Sequence, residues 1–158
     1  MMEGGSVDRR SRDTGRSVGR GGHLHTLALI AHDNKKVDLV AWATFNRAAL
    51  SLFDLVATGH TAQLVHTKVG LPVQALLSGP QGGDAQIAAM VATGAVGGVF
   101  FFVDPLSAQP HEPDIRALLR VCNVHNVPVA TNLATADLII ESLCALGMPL
   151  EHIPERPS

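Results

Sequence analysis

The stretch GGVFFFV (97–103) is apolar at every position after its two glycines. A strand with one wet face alternates apolar and polar residues. A run that does not alternate must be covered on both faces, as the central strands of parallel sheets are. Four other runs fit as strands: LHTLALIA (24–31), LFDLVAT (52–58), VQALLS (73–78) and VPVAT (127–131). Between them lie helical patterns. The first covers 34–46, with Val37, Val40, Ala41 and Thr44 expected inward. A short one follows over TAQLVHTKV (61–69). DAQIAAMVATG (84–94) stops at Gly94, and 113–126 opens on Pro113, suited to a first helical turn. The last covers 134–146, with LEHI a short edge segment near residue 151. The rhythm predicts one three-layer α/β domain around a five-stranded, mainly parallel sheet.

The length of 158 residues suits a single domain, and an apolar share of 46% is enough for a full core. Residues 1–22, rich in Arg, Gly and Ser, cannot repay the entropy of ordering, so a disordered tail is expected there. The domain is expected over 23–154, with an irregular C-terminus at 155–158. Aromatic content is 4% and the net charge is -2, with no basic run inside the patterned region. These values argue against a nucleic-acid surface. No apolar run reaches the roughly 18 residues that span a bilayer, and no secretion signal is visible. Cys122 and Cys144 have neither metal nor redox spacing and read as buried thiols of a reducing compartment. A cytoplasmic protein is expected.

Ligands of parallel sheets gather beyond the carboxyl ends of the strands, and polar clusters fall at all five ends. They are His32-Asp33, Thr58-Gly59-His60-Thr61, Ser78-Gly79 with Gly82-Gly83-Asp84, Asp104 with His111 and Asp114 soon after, and Thr131-Asn132. Hydroxyls and a permissive backbone ahead of a helix suit a phosphate, and Lys36 is placed to add a positive charge. No GxGxxG follows the first strand and no GxxxxGK[ST] occurs, so a small phosphorylated metabolite fits better than a nucleotide. Asp84 reads either as a helix cap or as a base brought close to a ligand by the glycines before it. The two roles conflict, because hydrogen bonds from helix amides weaken a base. Asp33 carries the same ambiguity. His32 and His111 are candidate electrophiles or proton shuttles. The eight histidines form no HExxH, and a catalytic metal is not expected.

Taken together, HDNKK (32–36), Thr58-Gly59, LSGPQGGDAQI (77–87), DPLSAQPHEPDIRALLR (104–120) and ATNLATADLII (130–140) resemble the methylglyoxal synthase family, from about His25 to Pro154. The resemblance implies a homohexamer that converts dihydroxyacetone phosphate to methylglyoxal and inorganic phosphate without a cofactor. It implies Asp84 as the base. Asp104, His111 and Asp114 form the second acidic and histidine cluster, and His32, with its neighbour Asp33, is an active-site histidine. Lys36, Thr58, Gly59, His60 and Thr61 would hold phosphate, and Ser78 and Gly79 would flank the substrate. Inorganic phosphate would be product and inhibitor. Neither nucleic acid nor membrane is implied as a partner.

The chain departs from the family in places. The phosphate loop, usually TGTTG, reads Thr58-Gly59-His60-Thr61-Ala62. Arg156 does not align with the arginine of the relatives' basic C-terminal arm, which leaves phosphate-mediated allostery outside the resemblance. A similar fold also serves as a non-catalytic regulatory module of larger synthetases. Such a module is expected to lack the Asp84 and His111 sets, which this chain keeps.

Overall fold

The computed structural model describes residues 26–146. Five strands form one sheet: β1 (Thr26–Ala31), β2 (Asp54–Thr58), β3 (Gln74–Leu76), β4 (Gly98–Phe102) and β5 (Val129–Ala130). Their order is β3-β2-β1-β4-β5, and every pairing is parallel. The expected helices are present as α1 (Lys36–Phe45), α3 (Gly59–Leu64), α4 (Gly83–Ala92), α5 (Glu112–Val124) and α6 (Leu133–Leu146), and a short helix outside the expected set, α2 (Arg47–Leu50), follows α1. A π-helical turn, Val65–Val69, continues α3.

The non-alternating strands are covered on both faces. Leu27, Leu29, Phe100 and Phe102 face α1, α3 and α6, where Leu39, Trp42, Val65 and Ile140 meet them. Ala28, Ile30, Val99 and Phe101 face α4 and α5 through Ile87, Val91, Ile115 and Leu118. Trp42 packs on Phe100 at 4.8 Å between centroids, and its indole N–H donates to Asp137 at 3.0 Å, which satisfies its polar edge.

Three sequence expectations shift. In α1 the inward residues are Leu39, Trp42 and Ala43, while Val37, Ala41 and Thr44 are exposed. The aromatic anchor sets the helix phase, and counting aliphatics alone misses it. The outer strands are shorter than their apolar runs because each has only one neighbour, pairing over three residues in β3 and two in β5. Helix α3 begins at Gly59 and not at Thr61, with Thr58 at its N-cap. The expected tail over 1–22, the segment LEHI, the C-terminus at 155–158 and Arg156 lie outside the described residues. Among the described residues no helix is long and apolar enough to cross a membrane. Cys122 is buried and Cys144 half-buried, both free thiols, and burial pushes the Cys122 thiol up to about 11.

The chain leaves β1 towards β2 and β3, then returns to lay β4 on the other side of β1. The strand order therefore reverses at the β1/β4 boundary, and a crevice opens at the carboxyl ends there. Helix α4 reaches this crevice by close packing. A Cβ on Gly83 would sit 2.1 Å from the Leu77 carbonyl oxygen and 2.8 Å from Thr58 Cγ2. Backbone cannot yield cheaply, so Gly83→Ala should destabilise the domain by about 1–3 kcal/mol. A denaturation midpoint equal to the parent's would refute this.

Candidate active site

A cavity of about 240 Å³ lies at the crevice. It is smaller than the roughly 300–1,000 Å³ of pockets for drug-sized ligands. The end of β1 lines it with His32, Asp33 and Lys36, and the β2–α3 junction with Thr58, Gly59, His60 and Thr61. Ser78, Gly79, Pro80 and Asp84 come from the β3–α4 connection, and Gln109 and His111 from the loop ahead of α5. Eleven candidates separated by up to 79 residues in sequence thus share one cavity. Asp104 and Asp114 do not line it.

Asp84 is fully buried. It is not a helix cap: Gly82 takes that position, and Asp84 sits one residue inside α4. Neither carboxylate oxygen has a hydrogen-bond partner among the described residues. The Nε2 of His111 lies 3.4 Å from Oδ2, beyond a good hydrogen bond. Burial pushes the Asp84 carboxyl above the usual carboxylate range, opposed by His111 and reinforced by Asp114. The buried Nδ1 of His111 is also unbonded. Its ring is held against the glycine turn, since a Cβ on Gly79 would lie 2.6 Å from Nε2.

His32 is buried edge-on to Phe101 and, 5.9 Å away between centroids, to His111. Its Nδ1 accepts the Asp104 backbone N–H at 2.9 Å. An accepting Nδ1 leaves the proton of a neutral imidazole on Nε2, and Nε2 is buried without a partner. Burial and then His111 hold the His32 pKa below its ordinary value, so the ring is neutral at neutral pH. Asp104 accepts from Asn34 at 2.8 Å and from the Leu106 N–H at 3.0 Å. Asn34 is the first cause of its lowered pKa.

The other end of the cavity suits an anion. Lys36 is largely buried and donates to the exposed Asp33, whose carboxyl it holds below the usual range. Thr58 and Thr61 are buried at the start of α3, where first-turn amides lack intrahelical acceptors. Gly59 donates its own amide to the Leu77 carbonyl, tying this turn to the end of β3. Ala62, which replaces a glycine of the TGTTG pattern, is buried within α3 and does not have a positive φ, so alanine costs nothing there. His60 is exposed at the rim.

Two participants escaped the sequence reading. Gln109 lines the cavity, and Asn34 buttresses Asp104. Gln109 lies two residues before His111, but a lone loop amide carries no pattern. Among the described residues, no group of three or more His, Cys, Asp or Glu side chains is placed to hold a metal ion.

The fold and cavity define an α/β enzyme with buried histidine and aspartate side chains gathered at the reversal of strand order. The MGS-like domain family model matches residues 38–131. Methylglyoxal synthase of Clostridium botulinum (strain Eklund 17B / Type B) is 55% identical over 115 residues, covering 73% of this chain and 97% of that protein. Methylglyoxal synthase of Ralstonia nicotianae is 56% identical over 122 residues, covering 77% and 88%. The crystal structure of methylglyoxal synthase from Elizabethkingia anophelis superposes with a TM-score of 0.70 at 44% identity, covering 75% of this chain and 78% of that one. The chain belongs to the methylglyoxal synthase family.

Proposed function

We propose that this protein converts dihydroxyacetone phosphate to methylglyoxal and inorganic phosphate. The observation that carries the reading is Asp84: a fully buried, unbonded carboxylate within 3.4 Å of a histidine, in a cavity whose other end suits a phosphate. Asp84 takes a proton from the hydroxymethyl carbon of the substrate. The electron pair moves into an enediolate, whose charge develops on the ketone oxygen. The Nε2–H of His32 is the donor for that oxygen. The C–O bond to phosphate then breaks as the terminal hydroxyl loses its proton and becomes an aldehyde. His111 moves protons among these oxygens. The released enol takes up a proton at carbon to give methylglyoxal.

Phosphate loss is fast only when the breaking bond stands perpendicular to the enediolate plane. The clamp of Lys36, Thr58, Gly59, His60 and Thr61, with Ser78 and Gly79 alongside, therefore fixes a torsion as well as adding affinity. The test is to incubate the protein with dihydroxyacetone phosphate and follow methylglyoxal and phosphate together. Equal release of both is expected. Glyceraldehyde 3-phosphate without phosphate would make it an isomerase, and no turnover would leave a binding module.

Lys36→Ala should weaken capture of a non-reactive phosphate ester by about 1.5–3 kcal/mol, the scale of a charge-assisted contact. The pairing with Asp33 favours the lower end, because Lys36 exchanges one anion for another. Unchanged inhibitor affinity would remove Lys36 from the site. We further infer a cytoplasmic homo-oligomer, a hexamer by family resemblance, with inorganic phosphate as product and inhibitor. The exposed Val37, Phe45 and Leu106 support burial against further copies.

A further inference from the structure

We propose that Asn34 is a positioning residue that, through Asp104, holds His32 with its Nε2–H aimed into the cavity. The inference rests on the lyase reading for its consequence in turnover, but its structural content stands alone. Asp104 has two separate attachments. Its main-chain N–H meets His32 Nδ1 at 2.9 Å, while its carboxylate, which does not line the cavity, is held by Asn34 and Leu106. The Leu106 bond is local to the turn. The Asn34 bond crosses 70 residues and ties the loop after β4 to the turn after β1. His32 and Asn34 belong to that same turn, and the Lys35 amide donates to the His32 carbonyl at 2.8 Å.

The loop and the imidazole are therefore locked together as a closed circuit: His32, Asp104, Asn34 and back along the backbone to His32. The Asn34 amide also reaches Ser107 Oγ at 3.4 Å, further along the same loop. The His32 main-chain N–H also donates to the Phe102 carbonyl at 3.2 Å, which fixes the end of β4. Without the Asn34 bond, the Asp104 side chain loses its cross-loop hydrogen bond to this turn, and the imidazole is left to hold the loop. Asp104 then acts through its backbone, and its carboxylate serves as the handle by which Asn34 holds it.

The test swaps the pair. Asn34→Asp places a carboxylate where the donor was, facing the Asp104 carboxylate. Asn34→Asp combined with Asp104→Asn restores a bond between the two positions in the reverse sense and keeps an oxygen for the Leu106 amide. Asn34 is itself exposed, so both proteins should fold. Two measurements are made. The first is the ¹⁵N shifts of the His32 ring in histidine-labelled protein at a pH where the ring is neutral. The second is turnover of dihydroxyacetone phosphate, with inhibition by a non-reactive phosphate ester as control.

In the parent, Nδ1 should show the shift of an accepting nitrogen and Nε2 that of an N–H. In Asn34→Asp the two should move towards the averaged shifts of a free imidazole. Turnover should fall roughly 10- to 100-fold, the scale of misplacing a reacting group by about 1 Å, with ester inhibition unchanged. The double variant should recover both. A fall in turnover with unmoved His32 shifts would overturn the proposal, as would an Asn34→Asp variant that changes neither, or a double variant that stays at the single variant's level. If the parent itself releases no methylglyoxal, the lyase reading fails, and the ring shifts alone decide the role of Asn34.

Discussion

Asp84→Asn should give a folded protein that still binds a non-reactive phosphate ester but no longer exchanges the substrate's C–H proton with deuterated solvent. An amide of the same shape fills the same space in α4 and cannot accept a proton from carbon. Turnover should fall by at least the roughly 10²–10⁴-fold that general-base catalysis supplies. The exchange measurement is the direct one, because it reports proton abstraction whether or not phosphate leaves. Exchange at the parent's rate would exclude Asp84 as the base.

The same substitution has a signed effect on stability. The Asp84 carboxyl is raised in the folded state, so the native protein binds its proton more tightly than the unfolded chain does. Its contribution is then fully present below the unfolded pKa and is lost as pH rises through the folded one. At neutral pH the unfolded chain's carboxylate is ionised and solvated, whereas the folded one is buried and unbonded, which disfavours the native state. Asp84→Asn should therefore melt at or above the parent's temperature at pH 7 and lose this part of the pH dependence. A clear drop in melting temperature would mean that the carboxylate is structural. For the parent, kcat/KM should fall on acidification through a pKa above that of an ordinary aspartate.

The strand-helix rhythm was legible because parallel strands buried on both faces read as unbroken apolar runs, and GGVFFFV places Phe100 and Phe101 on opposite faces. The phase of α1 was not legible. Val37 and Ala41 look like core residues until Trp42 is seen to occupy the space between Phe100 and Phe102. The strand ends disclosed the cavity because each strand must stop in a polar turn, and the turns after β1, β2, β3 and β4 converge on it. Thr131 and Asn132 after β5 instead line a separate cavity with Lys35 and Asp38. Whether Asp84 caps its helix was undecidable from its type alone. The answer depends on Gly82 adopting φ 106° and taking the cap position itself. Asn34 and Gln109 were invisible for a related reason: a single amide in a loop acquires meaning only from what the fold sets opposite it.

His111→Gln should fold normally and lose roughly 100-fold or more in turnover. Glutamine keeps a donor and an acceptor near the position of the ring but cannot pick up and release a proton near neutral pH. The ring sits where both of its polar atoms matter: Nε2 faces Asp84 at 3.4 Å, and Nδ1 is buried and unbonded. Its loss has a second consequence. His111 lowers the Asp84 pKa against the dominant effect of burial, so its removal should raise that pKa further. The acid limb of kcat/KM should move to higher pH in His111→Gln. Proton abstraction by Asp84 survives in principle, whereas proton movement among the substrate oxygens does not. Solvent exchange at the substrate carbon should therefore outrun phosphate release in the variant, whereas Asp84→Asn should lose both. Near-parental turnover with an unmoved acid limb would reduce His111 to a space-filling neighbour of Gly79. Exchange and phosphate release falling in equal proportion would instead place it in the first proton transfer.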